Sequence, residues 1–267
     1  MDARRARRWL RCLAGDARRV AEARDIDLGR IIALAQRHAR WRRQEAQIDH
    51  DLSRTTHSAE ERAAVRRVLL AWASLNSKVE YTQGMHMVAG VLLRVFAAGG
   101  ADYSPLHDAL ASLSGAARIN AAFTPLHAAD GVPVERSRVV AVQMCVDVAN
   151  HAPGMRAKSA ALLPWLQMFV LKCFPVLFAN IVAREDALRE WWDFIFADRD
   201  APQDACRHLA VAALLSNRRL FLYGESMDQC CKIFESLLQL TSPAQARAVV
   251  ASAAHLSRVE HMSGKAM

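Results

Sequence analysis

No stretch of this chain alternates apolar and polar residues long enough to make a half-buried strand. Apolar residues instead recur every three or four positions through most of its length. That periodicity constrains the fold to helices packed on one another. Only 11 Gly and 8 Pro interrupt 267 residues, so the helices can be long, and 52% hydrophobic residues supply a substantial core. The fold class expected is all-α, without significant β-sheet.

The spacing predicts a basic helix over 4–13, with Trp9 and Leu13 on one face, and a second over 27–43, with Ile31, Leu34 and His38 in line. The polar stretch from Gln44 to His57 reads as loop with a helical turn. Ser58 and Glu61 form a capping box that opens a helix carrying Val65, Leu69 and Trp72. A polar connector, 76–80, leads to an apolar helix from Met85 to Ala98, stopped by Gly99 and Gly100. Gly84 and Gly90 leave room for a close neighbour. Further helices are expected at 106–114, 139–150, 159–181, 187–196, 202–216, 227–240 and 243–262, with a loop at 124–138. The apolar run 162–182 contains Pro164, Lys172 and Pro175, which suits a buried helix pair broken near Pro175 better than a membrane span.

The net charge of +8 is not spread evenly. Residues 1–43 hold 13 Arg against 5 acidic residues, so the remainder is neutral. The organisation expected is a basic N-terminal arm (1–43), an N-terminal half (44–123) and a C-terminal half (124–267). The arm could meet an anionic membrane or simply be a solvated face. A nucleic-acid role is not expected, because no basic helix with interleaved aromatics is present. Six cysteines lack CxxC spacing and ten histidines form no cluster, so no disulfide framework or metal site is expected.

Two short segments carry the chemistry. In Ile48-Asp-His-Asp51-Leu-Ser-Arg54-Thr55 an aspartate precedes an arginine by three positions, and in Tyr81-Thr-Gln83-Gly84 a glutamine precedes a glycine at the head of an apolar helix. Arginine can neutralise charge on a transferring phosphoryl group, and glutamine can orient the attacking water. The chain has no phosphate-binding loop of its own, so these groups would serve a partner's nucleotide. The helix over 58–73 is about 24 Å long, and residues 74–82 can span at most about 30 Å. Gln83 can therefore return to Arg54, but the spacing does not require it.

These segments resemble the IxxDxxRT and YxQG motifs of the TBC domain, the helical module that activates Rab GTPases. Arg8-Trp9 is similar to that family's opening tryptophan motif, and Trp192-Asp193 to a "WD" of its C-terminal half. The resemblance implies a two-lobed helical domain, an activator rather than an enzyme, with Arg54 and Gln83 as catalytic fingers. Ile48, Asp51, Thr55, Tyr81 and Gly84 would support them. GTP and Mg²⁺ would be bound by a GTP-loaded Rab, with no cofactor of the chain's own. A cytoplasmic protein at the periphery of endomembranes, acting in vesicle trafficking, is implied; a non-catalytic scaffold is the alternative. Three departures stand out: His86 where the family usually has Asn, Leu10 where a lysine is common, and Lys172-Cys173-Phe174 where an aromatic pair with tryptophan is common.

Overall fold

The computed structural model describes residues 2–15, 17–55, 57–76, 80–100, 104–120, 132–197 and 202–264. Among these there are only helices: α1 (Asp2–Ala14), α2 (Ala17–Arg24), α3 (Leu28–Ala35), α4 (Ala39–Ser53), α5 (Ala59–Leu75), α6 (Met85–Ala97), α7 (Pro105–Asn120), α8 (Val132–His151), α9 (Arg156–Cys173), α10 (Glu185–Ala197), α11 (Pro202–Ser216), α12 (Arg218–Tyr223), α13 (Met227–Gln239) and α14 (Pro243–Gly264), with a short 3-10 turn at Pro153–Met155. The chain divides into two compact units, 1–126 and 127–267.

In the first unit α1 packs on α7 and α6, and α5 packs on α3, α4, α6 and α7. The apolar face of α1, with Ala6, Trp9, Leu10, Leu13 and Ala14, is buried, and Arg4, Arg7, Arg8 and Arg11 occupy the exposed face. Gly115 of α7 lies under α1 so closely that a Cβ there would fall 2.0 Å from the Leu13 carbonyl oxygen. Val65, Val68, Leu69 and Trp72 of α5 and Val88, Leu92, Val95 and Phe96 of α6 fill the middle. Arg24 of α2 donates to both oxygens of the fully buried Asp108 carboxylate, each at 2.9 Å.

Several expectations need correction. The stretch 44–57 is not mainly loop, because α4 runs through Ser53. Its inward positions, Trp41, Gln44, Ile48, Asp51 and Leu52, keep helical spacing; two of them are polar, which hid the stripe. The single helix over 27–43 is two, with a break at 36–38, so Leu34 is 54% exposed rather than aligned with a core. The first residues of the second helix belong to α4. Helix α2 was not foreseen. The helix expected at 106–114 continues through Gly115 to Asn120. Residues 132–138 of the expected loop are the start of α8, where Pro133 sits in the first turn and its missing N–H costs nothing; 124–131 lie outside the described residues, as do 77–79 of the connector. The capping box is half made: Ser58 Oγ accepts from the Glu61 N–H at 3.1 Å, but the Glu61 side chain pairs with Arg94 and His57.

In the second unit α8 packs along α9, and α14 packs on α10 and α11. The expected helix over 159–181 stops at Cys173, and 174–181 follow as turns rather than the second helix of a pair. Leu177 and Phe178 have φ of 50° and 65°, a conformation that L-residues adopt at a cost. Packing holds it. The Phe178 ring lies 5.3 Å from Phe174 and 5.1 Å from Trp191, and Trp192 Nε1 donates to the Leu177 carbonyl at 2.7 Å. Arg207 and His208, both buried, meet Glu260 of α14, and Arg207 also pairs with Asp147 of α8. No helix among the described residues is long and apolar enough to cross a membrane.

The candidate phosphoryl-transfer site

The site is built where α4 ends and α6 begins. Arg54 is the C-cap of α4, its N–H bonded to the Asp51 and Leu52 carbonyls. Thr55 Oγ1 donates to the Leu52 carbonyl at 2.9 Å and Ser53 Oγ to that of His50 at 2.7 Å. These bonds satisfy carbonyls that a helix end leaves open. Beyond the turn, Arg62 donates to the His57 carbonyl at 2.6 Å, and the His57 ring pairs with Glu61 at 3.1 Å. That ring rests on α6, where a Cβ at Gly90 would come within 3.3 Å of His57 Nε2. The segment bearing Arg54 is thus held on both sides.

Asp51 is the centre of the arrangement. Its carboxylate is 2% exposed and accepts from Arg54 Nη2 at 2.9 Å through Oδ1. Through Oδ2 it accepts the Tyr81 hydroxyl at 2.8 Å. A buried carboxylate requires such donors. The Arg54 side chain remains 57% exposed, so the guanidinium is anchored from beneath and open to solvent. Ile48, fully buried one turn earlier, fixes the helix face that carries Asp51.

Tyr81 is buried. Burial first, and then its hydrogen bond to Asp51, hold its hydroxyl well above the ordinary phenol range. Its N–H donates to Gln44 Oε1 at 2.9 Å, which docks the segment before α6 onto α4. Two residues on, Gln83 stands exposed in the turn that Gly84 closes. Gly84 is the N-cap of α6 with φ 94°, a left-handed conformation that glycine adopts freely. The Met85 N–H bonds the Thr82 carbonyl at 3.1 Å. His86, in the first turn of α6, is buried with Nδ1 3.1 Å from the Tyr81 hydroxyl.

Of the seven residues singled out in the sequence, Ile48, Asp51, Arg54 and Thr55 fall on one helix end. Tyr81, Gln83 and Gly84 fall on the segment that Asp51 and Gln44 tie to it. Gln44 was missed; its sole signal was a polar side chain at an inward helical position of α4. His86 was noted only as a departure, and its partners were invisible in sequence. Among the described residues no group of His, Cys, Asp or Glu could hold a metal ion.

The helical scaffold thus presents a carboxylate-anchored arginine and an exposed glutamine on joined segments, both open to solvent. The family model of the Rab-GTPase-TBC domain matches residues 5–116. The matched range includes every residue of the candidate site. The TBC domain of a Chlamydomonas flagellar RabGAP, known from its crystal structure, shares the fold at a TM-score of 0.69 and 17% identity, over 95% of this chain and 80% of that one. No curated protein matches the sequence.

Proposed function

We propose that the chain accelerates GTP hydrolysis by a GTP-loaded Rab-type GTPase, supplying Arg54 and Gln83 in trans, and so takes part in membrane trafficking. The observation that supports this is the joint hold of Asp51 on Arg54 and Tyr81. It sets both segments before a partner arrives, and preorganised charge is where electrostatic catalysis draws its strength. Arg54 would enter the partner's nucleotide site and meet charge on the phosphoryl oxygens with its planar fork. Gln83 would orient the attacking water. GTP and Mg²⁺ would belong to the partner, and the chain would supply side chains rather than a nucleotide site. Hydrolysis measured with a panel of GTP-loaded Rabs tests the reading: strong stimulation of at least one member is expected. Binding without stimulation across the panel would select the scaffold reading.

Gln83→Ala is expected to lower stimulated turnover strongly, equally for a Rab that keeps its own glutamine and for one in which that glutamine is replaced. A loss confined to the Rab with its own glutamine would contradict the role.

The exposed arginines of α1 extend the proposal to the membrane. Arg4, Arg7, Arg8 and Arg11 lie at i, i+3, i+4 and i+7 on the solvent face. Trp9 and Leu13 anchor the other face, so the helix would adhere by charge rather than insert. Each cation near an anionic leaflet contributes about 1 kcal/mol. Sedimentation with phosphatidylserine-containing vesicles is expected to capture the chain at low salt, and Arg4/Arg7/Arg8/Arg11→Gln to release it. Equal capture of both, or capture of neither, would remove the membrane contact.

A further inference from the structure

We propose that His86 is a positioning residue for Arg54, acting through the Tyr81 hydroxyl and the Asp51 carboxylate from a ring whose proton sits on Nδ1. The inference rests on the role of Arg54 proposed above.

The geometry assigns the proton. A tyrosine hydroxyl has one hydrogen to give. That of Tyr81 points at Asp51 Oδ2, 2.8 Å away, and a carboxylate can only accept. The hydroxyl also meets His86, through the backbone and through Nδ1 at 3.1 Å; with its one hydrogen given to Asp51, the oxygen accepts there and the ring nitrogen donates. The donors then run in one direction, from His86 to Tyr81 to Asp51, where Arg54 arrives from the other side. Aligned hydrogen bonds polarise one another. With Oδ2 occupied by this chain of donors, Oδ1 is turned to Arg54. His86 also sits three residues after Gln83, so its bond fixes the start of α6 and the turn that presents the glutamine.

The residue that commonly stands here in the family, asparagine, carries an amide N–H₂ that can donate in the same sense. Histidine differs in being able to take up a second proton. Burial holds the ring below the usual imidazole range, with Asp51 opposing and His57 and Arg54 reinforcing. The groups facing it are therefore the charged Asp51 and Arg54 and the His57 ring, with the Tyr81 hydroxyl between. Protonated His86 would keep the Nδ1 donor but bring a positive charge to 3.8 Å from Asp51 Oδ2. It would draw on the carboxylate that holds Arg54 and repel the guanidinium. As pH falls below the ordinary imidazole value of about 6.5, the hold on Arg54 weakens.

The ring-nitrogen chemical shifts of His86 in ¹⁵N-histidine-labelled protein read the tautomer without any partner. A proton on Nδ1 is expected, and one on Nε2 alone overturns the proposal. In stimulated hydrolysis on a responsive Rab, His86→Leu is expected to lower kcat by between about 10- and 100-fold, in line with the cost of misplacing a catalytic group by about 1 Å. KM should change little, and His86→Asn should restore most of the loss. His86→Asn should also flatten the fall in stimulation on acidification, relative to wild type on the same GTPase. Leu and wild type performing alike, or Leu and Asn equally impaired, would overturn the relay. If Arg54→Ala abolishes stimulation while His86→Leu does not, the relay alone fails; if Arg54→Ala is fully active, the reading beneath it fails.

Discussion

Arg54→Ala is expected to abolish stimulated GTP hydrolysis while leaving the helical fold unchanged. An arginine supplied in trans to a GTPase is worth about 10³–10⁵ in rate. The side chain is more than half exposed and makes one direct bond, to Asp51, so its removal opens no cavity. Asp51 keeps the Tyr81 hydroxyl as a donor and gains access to water. Arg54→Lys should fail nearly as badly, because an ammonium on a flexible stem cannot hold Asp51 and span two phosphoryl oxygens with a fixed fork. Single-turnover hydrolysis with excess activator reads both variants, and circular dichroism checks the fold. Full stimulation by Arg54→Ala would show that the arginine is a surface group with a buried partner and no more.

The largest structural effect is expected at Gly115. A methyl placed there would lie 2.0 Å from the Leu13 carbonyl oxygen, 2.6 Å from its carbon and 2.8 Å from Leu13 Cα. All three are main-chain atoms of α1, so no side-chain rotation relieves the contact. The two helices must separate, and Trp9 and Leu13 lose packing as they do. Overfilling a well-packed contact costs about 1–3 kcal/mol and occasionally more, and a backbone clash belongs at the upper end. At about 2–4 °C per kcal/mol for a chain of this order, the melting temperature of Gly115→Ala should fall by roughly 6–12 °C. An unchanged midpoint would mean that α1 and α7 do not cross this closely.

Gly115 also marks a limit of sequence reading. By propensity a glycine after Ser114 looks like a helix end, and only the presence of α1 above it explains a mid-helix glycine. The same physics governs α4. Its inward stripe mixes Trp41, Ile48 and Leu52 with Gln44 and Asp51, and a periodicity test that counts apolar residues misses it. The polar pair is inward because each has a distant partner on the 81–86 segment, about which the local sequence is silent. Where the buried face was wholly apolar, as in α5, or apolar save for His86, as in α6, the register could be read directly from the residues. Arg54, Asp51 and Tyr81 were legible as motif members. The bond that joins them, between positions 30 apart in sequence, was allowed by chain length and not dictated by it. Left-handed Leu177 and Phe178 were unreadable for a different reason, since only surrounding aromatic rings hold that turn.

One carboxylate serving two segments has a consequence under stress. Were Arg54 and Gln83 carried on separate loops, warming or mild denaturant would blunt them one at a time, and activity would fade gradually. With Asp51 shared by both, displacing its carboxylate weakens the hold on the two segments together. Inactivation should then be abrupt and should precede global melting, tracking the displacement of one buried carboxylate.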